Sequence, residues 1–121
     1  MSAGKIVVGA LVLGVLGLAT GLAVTAPAPL PEAALDGLTG DADNGRLVFA
    51  TAGCASCHTA ADAESTDAPV LSGGLTFATQ FGTFVAPNIS PDPDFGIGAW
   101  SDIEIVSAVM RGVSPNGAHY F

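Results

Sequence analysis

From Ile6 to Ala26 the chain runs for 21 residues without a charge, IVVGALVLGVLGLATGLAVTA. As a helix this run is about 31 Å long, enough to cross the hydrocarbon core of a bilayer. Ahead of it stands only the segment Met1–Lys5, with one positive charge. Lys5 on the short flank keeps residues 1–5 cytoplasmic and sends the remainder to the exported side, the periplasm of a bacterial cell. A cleaved signal peptide is the competing reading, with an apolar core of about 7–15 residues and an A-x-A-like site. This core is longer, and a cut after Val24-Thr25-Ala26 would put Pro27 directly behind the cleavage point. An uncleaved anchor in the bacterial cytoplasmic membrane is the better fit. Gly17 and Gly21 form a G-x-x-x-G pair, a helix-pairing pattern, although glycine is common in membrane helices in general.

Residues 27–40 read as a linker. Ala26-Pro-Ala-Pro-Leu-Pro31 is stiff and extended, and Glu32–Leu35 allows one short helical turn. The domain proper is residues 41–121. Its 81 residues are few for an independent hydrophobic core. Beyond Pro27 lie all eleven acidic residues against Arg46 and Arg111, an excess of nine negative charges. Nucleic acid is not expected as a partner on that balance, and anionic lipid is a poor one. A protein with a basic docking patch is compatible with it, as is plain solubility.

Within this small domain stands Cys54-Ala55-Ser56-Cys57-His58. A thioredoxin-like C-x-x-C pair sits in a βαβ setting, and no strand–helix alternation flanks this one. A zinc site takes about four ligands, whereas the chain has two cysteines and two histidines, with His119 far away in sequence. A disulfide between Cys54 and Cys57 would close a very small loop and stabilise little. C-x-x-C-H is also the attachment signature of a c-type haem. Two thiols form thioethers with the porphyrin vinyl groups, and the following imidazole binds iron from below. Covalent haem c is assembled outside the cytoplasm, which agrees with the export signal. One motif implies one haem, with Cys54, Cys57 and His58 as cofactor-binding residues and His58 as the metal ligand.

The rest of the domain carries local signals. Asp43 or Asp41 caps a predicted helix from Asn44 to about Gly53, with Leu47, Val48, Phe49 and Ala50 as its apolar set and Gly45 as a place for close helix crossing. Thr59–Asp67 is polar and small, a predicted surface loop. Thr76–Ile97 is rich in Gly, Pro, Asn and Phe, so regular structure is not expected there. A loop of that length in a small domain usually has a job, and wrapping a haem edge is one. Ser101-Asp-Ile-Glu104 is a capping box that opens a predicted helix running to Arg111 and stopping at Gly112. Ile103, Val106 and Met110 lie on one face of it.

C-x-x-C-H with the Gly45…Phe49 helix upstream and P-x-L-x-G at Pro69–Gly73 resembles a class I cytochrome c domain. The stretch FGTFVAPNISPDPDFGIGAW (Phe81–Trp100), followed by MRGV and GAHYF, is similar to the cytochrome c subunits of bacterial membrane-bound dehydrogenases for alcohols, gluconate and related sugars. The resemblance implies a mostly α fold: a small class I cytochrome c-like haem domain behind a single N-terminal transmembrane helix. It implies that the carbonyl of Pro69 holds the second ring nitrogen of His58, and that Trp100 lies near the haem propionates, where Arg111 could also pair. The family's axial methionine and last helix have no counterpart before Phe121. The domain is therefore expected to be partial, leaving Leu47, Val48 and Phe49 uncovered. Met110 does not match the ligand position, and neither does His119.

Three functions compete. The first is electron transfer, not catalysis: a dehydrogenase or quinol oxidoreductase donates, and an oxidase or another cytochrome accepts. The second is a haem with an open sixth site acting as a gas sensor or peroxidase-like protein, for which His119 and Arg111 are the available distal groups. The third is thiol exchange by the cysteine pair without haem.

Overall fold

A computed structural model describes residues 2–63 and 69–120 of the chain. Glu64 to Asp67, the last part of the expected Thr59–Asp67 loop, lie outside the described residues. The architecture is mostly helical. Helix α1 spans Ala3–Val24, and none of its residues is buried. It is apolar all round rather than striped. It is long and apolar enough to cross a membrane. The Thr25 amide and hydroxyl close its end by donating to the Gly21 carbonyl at 3.0 and 2.8 Å.

The proline-rich segment that follows is extended and runs into a 3-10 turn at Glu32–Leu35. The turn lies against the last helix. Helix α2 spans Ala42–Thr51, which is two residues earlier than the predicted Asn44 start. Asp41 is the cap, with Oδ1 accepting from the amides of Asp43 and Asn44 at 3.0 Å each. Its carboxylate satisfies donors that the first turn leaves free. Gly53 in the left-handed region (φ 69°) breaks the chain away from α2. The single-turn helix α3, Ala55–His58, follows at once.

The segment after Thr76 corrects the sequence expectation. Strands β1 (Thr76–Thr79) and β2 (Gly82–Val85) form an antiparallel hairpin with Phe77 opposite Phe84 and Thr79 opposite Gly82. The strand signal is real, T-F-A-T and G-T-F-V, rich in β-branched and aromatic residues. Glycines and prolines on both sides obscured it. The turn is only Gln80–Phe81. Thr79 Oγ1 locks it, donating to the Gly82 carbonyl at 2.9 Å and accepting from the Phe81 amide at 3.1 Å. After β2 the chain does wrap as an irregular loop, from Ala86 to Trp100.

Helix α4 spans Asp102–Arg111 behind the capping box. The Ser101 amide and hydroxyl donate to Glu104 Oε2 at 2.7 and 2.8 Å. These bonds, the backbone one first, hold the Glu104 carboxyl below its ordinary value of 4.5. Gly112 (φ 61°) ends the helix in the left-handed conformation that disfavours any side chain. Beyond it, Val113 pairs with His119 across the turn Ser114–Gly117. Among the described residues the buried ones are Gly73, Ala86, Ile103, Ser107 and Val113, the last only 1 % exposed. This core is small even for a short domain.

Candidate haem-attachment site

The site begins at the end of α2. With Gly53 turning the backbone, the His58 amide bonds to the Cys54 carbonyl at 3.1 Å and the Cys57 amide to the same carbonyl at 3.3 Å. One helical turn therefore carries both thiols, three residues apart and hence on one face, with the imidazole next in line. Thr59 Oγ1 closes the turn on the Ala55 carbonyl at 2.5 Å. Both cysteines are free thiols and half-buried.

His58 is held at two points. Its carbonyl accepts the Gly73 amide at 2.8 Å. Its ring Nδ1 lies 2.9 Å from the Pro87 carbonyl. A carbonyl only accepts, so Nδ1 carries a proton, which in the neutral ring leaves the lone pair on Nε2, the form needed of a metal ligand. This corrects the expectation for Pro69, which is exposed. Pro87, 29 residues beyond His58, supplies the carbonyl instead. Proline cannot continue the β2 ladder as a donor, so the chain leaves the hairpin there with its carbonyl unspent. The loops around His58 are knitted together. Gly74 donates to Ala86, Ala86 to Leu75 and Ile89 to Leu71, all at 2.8–2.9 Å. Gly73 sits in the left-handed region (φ 67°), and a Cβ there would collide with the carbonyl oxygens of Ala86 and Pro87.

Cys54 and His58 open onto a cavity of about 700 Å3. Its walls are chiefly apolar, with Phe49, Ile89, Ile97, Trp100 and Ile105 among them. Asn88 and Tyr120 add polar edges, and burial raises the Tyr120 phenol above its ordinary value of 10.0. The loop Ser90–Trp100 forms one side. Asp92 Oδ1 accepts from the amides of Asp94 and Phe95 at 2.9 and 2.8 Å. Gly96 and Gly98 pass so close to the Ser90–Asp92 backbone that no side chain fits at either.

The structure thus brings Cys54, His58 and Trp100 to one cavity, with Cys57 on the same turn. It does not bring His119, Arg111 or Met110 there. His119 Nε2 instead bonds the Thr25 carbonyl at 2.9 Å, and Met110 is exposed. Sequence reasoning missed Pro87, Asn88, Ile89 and Tyr120 as wall residues. Pro87, Asn88 and Ile89 fall within the Thr76–Ile97 loop expected to wrap a haem edge and within the uncharged run Ala68–Pro91, whereas Tyr120 carries no such signal. The residues fit a haem: a large apolar slot, two thiols on one turn, and an imidazole with a fixed tautomer. They do not make a protein-only metal centre, since no cluster of three or more His, Cys, Asp or Glu occurs among the described residues.

No protein-family model matches the chain. A diheme c-type cytochrome of Cereibacter sphaeroides is 50% identical over 103 residues, covering 85% of this chain and 35% of that protein. A nicotinate dehydrogenase subunit of Pseudomonas putida is 39% identical over 79 residues, covering 65% of this chain and 6% of the relative. The cytochrome c subunit of a quinone-dependent alcohol dehydrogenase of Gluconacetobacter polyoxogenes is 35% identical over 85 residues, covering 66% and 17%. Cytochrome c subunits of gluconate and fructose dehydrogenases match as well. The chain spans about a third or less of the length of these relatives. In motif and in the relatives it matches, the chain resembles the cytochrome c subunits of bacterial alcohol-, gluconate- and fructose-type dehydrogenases.

Proposed function

We propose that this chain is an electron-transfer protein with one covalent haem c, bound through Cys54 and Cys57 and ligated by His58. The observation that carries the reading is the pairing of a two-thiol turn with an imidazole whose Nδ1 proton is committed to the Pro87 carbonyl. The haem, when bound, supplies an iron centre that takes up and releases one electron at a time. The chain's residues do the rest. The thiols fix the macrocycle by its edge. Pro87 holds the His58 ring in one orientation and increases its basicity. Phe49, Ile89, Ile97, Trp100 and Ile105 keep water away from the centre. No general base, nucleophile or substrate site is required.

Helix α1 serves as the membrane anchor in this reading, with the haem domain on the periplasmic side of the bacterial cytoplasmic membrane. The donor is a dehydrogenase or quinol oxidoreductase, and the acceptor an oxidase or another cytochrome. The dehydrogenase relatives support the donor class, and the acidic surface suits a partner with a basic docking patch. The peroxidase-like form of the alternative loses support, because His119 and Arg111, the distal groups it would use, do not line the cavity.

The test is expression of the full chain in a host competent in cytochrome maturation. The expected product is red, gains the mass of one haem, stains for haem after boiling in detergent, and remains with the membrane until detergent is added. Colourless material with the mass of the bare polypeptide refutes the proposal.

A further inference from the structure

The stretch between the membrane helix and the haem domain does not stand free. The Leu30 amide donates to Ser107 Oγ at 3.0 Å, and Ser107 is only 3 % exposed. Leu30 and Leu35 are half-buried, while every other residue from Thr25 to Gly40 is exposed. Pro29 and Leu30 face one cleft with Ile103, Ser107, Val113 and Pro115. Three of the five buried residues of the described chain, Ile103, Ser107 and Val113, are therefore on the side that the linker covers.

A second tie lies nearer the membrane. His119 Nε2 bonds the carbonyl of Thr25, the first residue after α1. The next residue along, Tyr120, lines the cavity shared by Cys54 and His58. The cavity wall is thus one residue from a group that touches the end of the apolar helix. The surface at this junction differs from the rest of the domain. Residues 24–31 and 112–120 contain no carboxylate and no Lys or Arg, although the domain as a whole is strongly acidic. Tyr120 remains 44 % exposed, and tyrosine is a side chain that favours the headgroup layer.

We propose that Thr25–Leu35 is a strap that docks the haem domain onto the membrane end of α1, laying the uncharged turn Val113–Tyr120 against zwitterionic lipid headgroups with the Tyr120 wall of the cavity beside them. The proposal rests on the reading of α1 as a membrane anchor. Its consequence is a haem held close to the bilayer surface instead of swinging on a tether, so its partners must present their redox centres at that surface.

Two measurements on the full-length holoprotein in phosphatidylcholine nanodiscs test it. The first is hydrogen exchange at the two non-proline amides of Pro27–Pro31. Leu30 is expected to exchange at least about tenfold more slowly than Ala28, and Ser107→Ala to bring it to the Ala28 rate with the haem spectrum unchanged. Equal rates in the unsubstituted protein overturn the strap. The second is quenching of a headgroup-labelled fluorescent lipid by the haem. Quenching is expected to be strong, and to fall by about half or more when a flexible Gly/Ser insertion of about ten residues separates Ala26 from Pro27. Quenching that is weak, or that the insertion leaves unchanged, overturns the lipid contact. A protein that does not enter the discs refutes the anchor instead, and Leu30 exchange in the unattached holoprotein still decides the strap.

Discussion

His58 and Gly73 meet through one backbone hydrogen bond, and the consequences are local. Gly73→Ala would force a side chain into a left-handed position and against the Ala86 and Pro87 carbonyls. The expected cost is about 1–3 kcal/mol of stability, together with a displaced Pro87 carbonyl and a perturbed ligand field, read by thermal unfolding and the absorption spectrum of the holoprotein. Pro69→Ala is expected to leave that spectrum unchanged, because the carbonyl at the ring belongs to Pro87. A changed spectrum in the Pro69 variant would contradict the assignment. The thiols and the imidazole were legible in the sequence because they are neighbours in it. The Pro87 carbonyl was not, because its partner is 29 residues away and any residue offers a carbonyl.

Among the elements, those written by short-range chemistry could be read directly. The capping box Ser101…Glu104 and the stop at Gly112 lie where the sequence puts them, since caps need only residues within one turn. The α2 start shifted because two aspartates competed for the same role and Asp41 prevailed. The hairpin was hidden because its strands are four residues each, too short for alternation to stand out among glycines and prolines. Glu104 supplies a prediction at this scale. Its carboxyl is held low by the Ser101 bonds, so its stabilising effect is present above pH 4.5 and is lost as the pH falls through the lowered value. The Tm of the holoprotein should therefore drop on acidification through that range more than the Tm of Glu104→Gln does. Ser101→Ala should cost about 0.5–2 kcal/mol at neutral pH, measured by denaturant unfolding. A negligible change would remove the box from the account of α4.

At the level of the whole molecule, the five buried residues among those described, one of them a glycine, do not make a sufficient core. Leu47, on α2, is 62 % exposed, and a chiefly apolar cavity of about 700 Å3 stands open beside His58. Filling that cavity with a covalent macrocycle would bury its apolar walls, and at about 25 cal/mol per Å2 this contributes several kcal/mol. This is comparable to the full stability of a small domain. The double variant Cys54→Ala/Cys57→Ala is accordingly expected to show no cooperative unfolding transition by circular dichroism, whereas the haem-bearing protein does. A sharp transition in the double variant would show that the polypeptide folds without its cofactor. One detail near the centre bears on how such a carrier works. The imidazole is gripped at its backbone by Gly73 and at its ring by Pro87, so it has little freedom to follow a change of charge on iron. Oxidised and reduced forms should then be almost superimposable, and a carrier that barely relaxes between them is ready for its next encounter as soon as the last one ends.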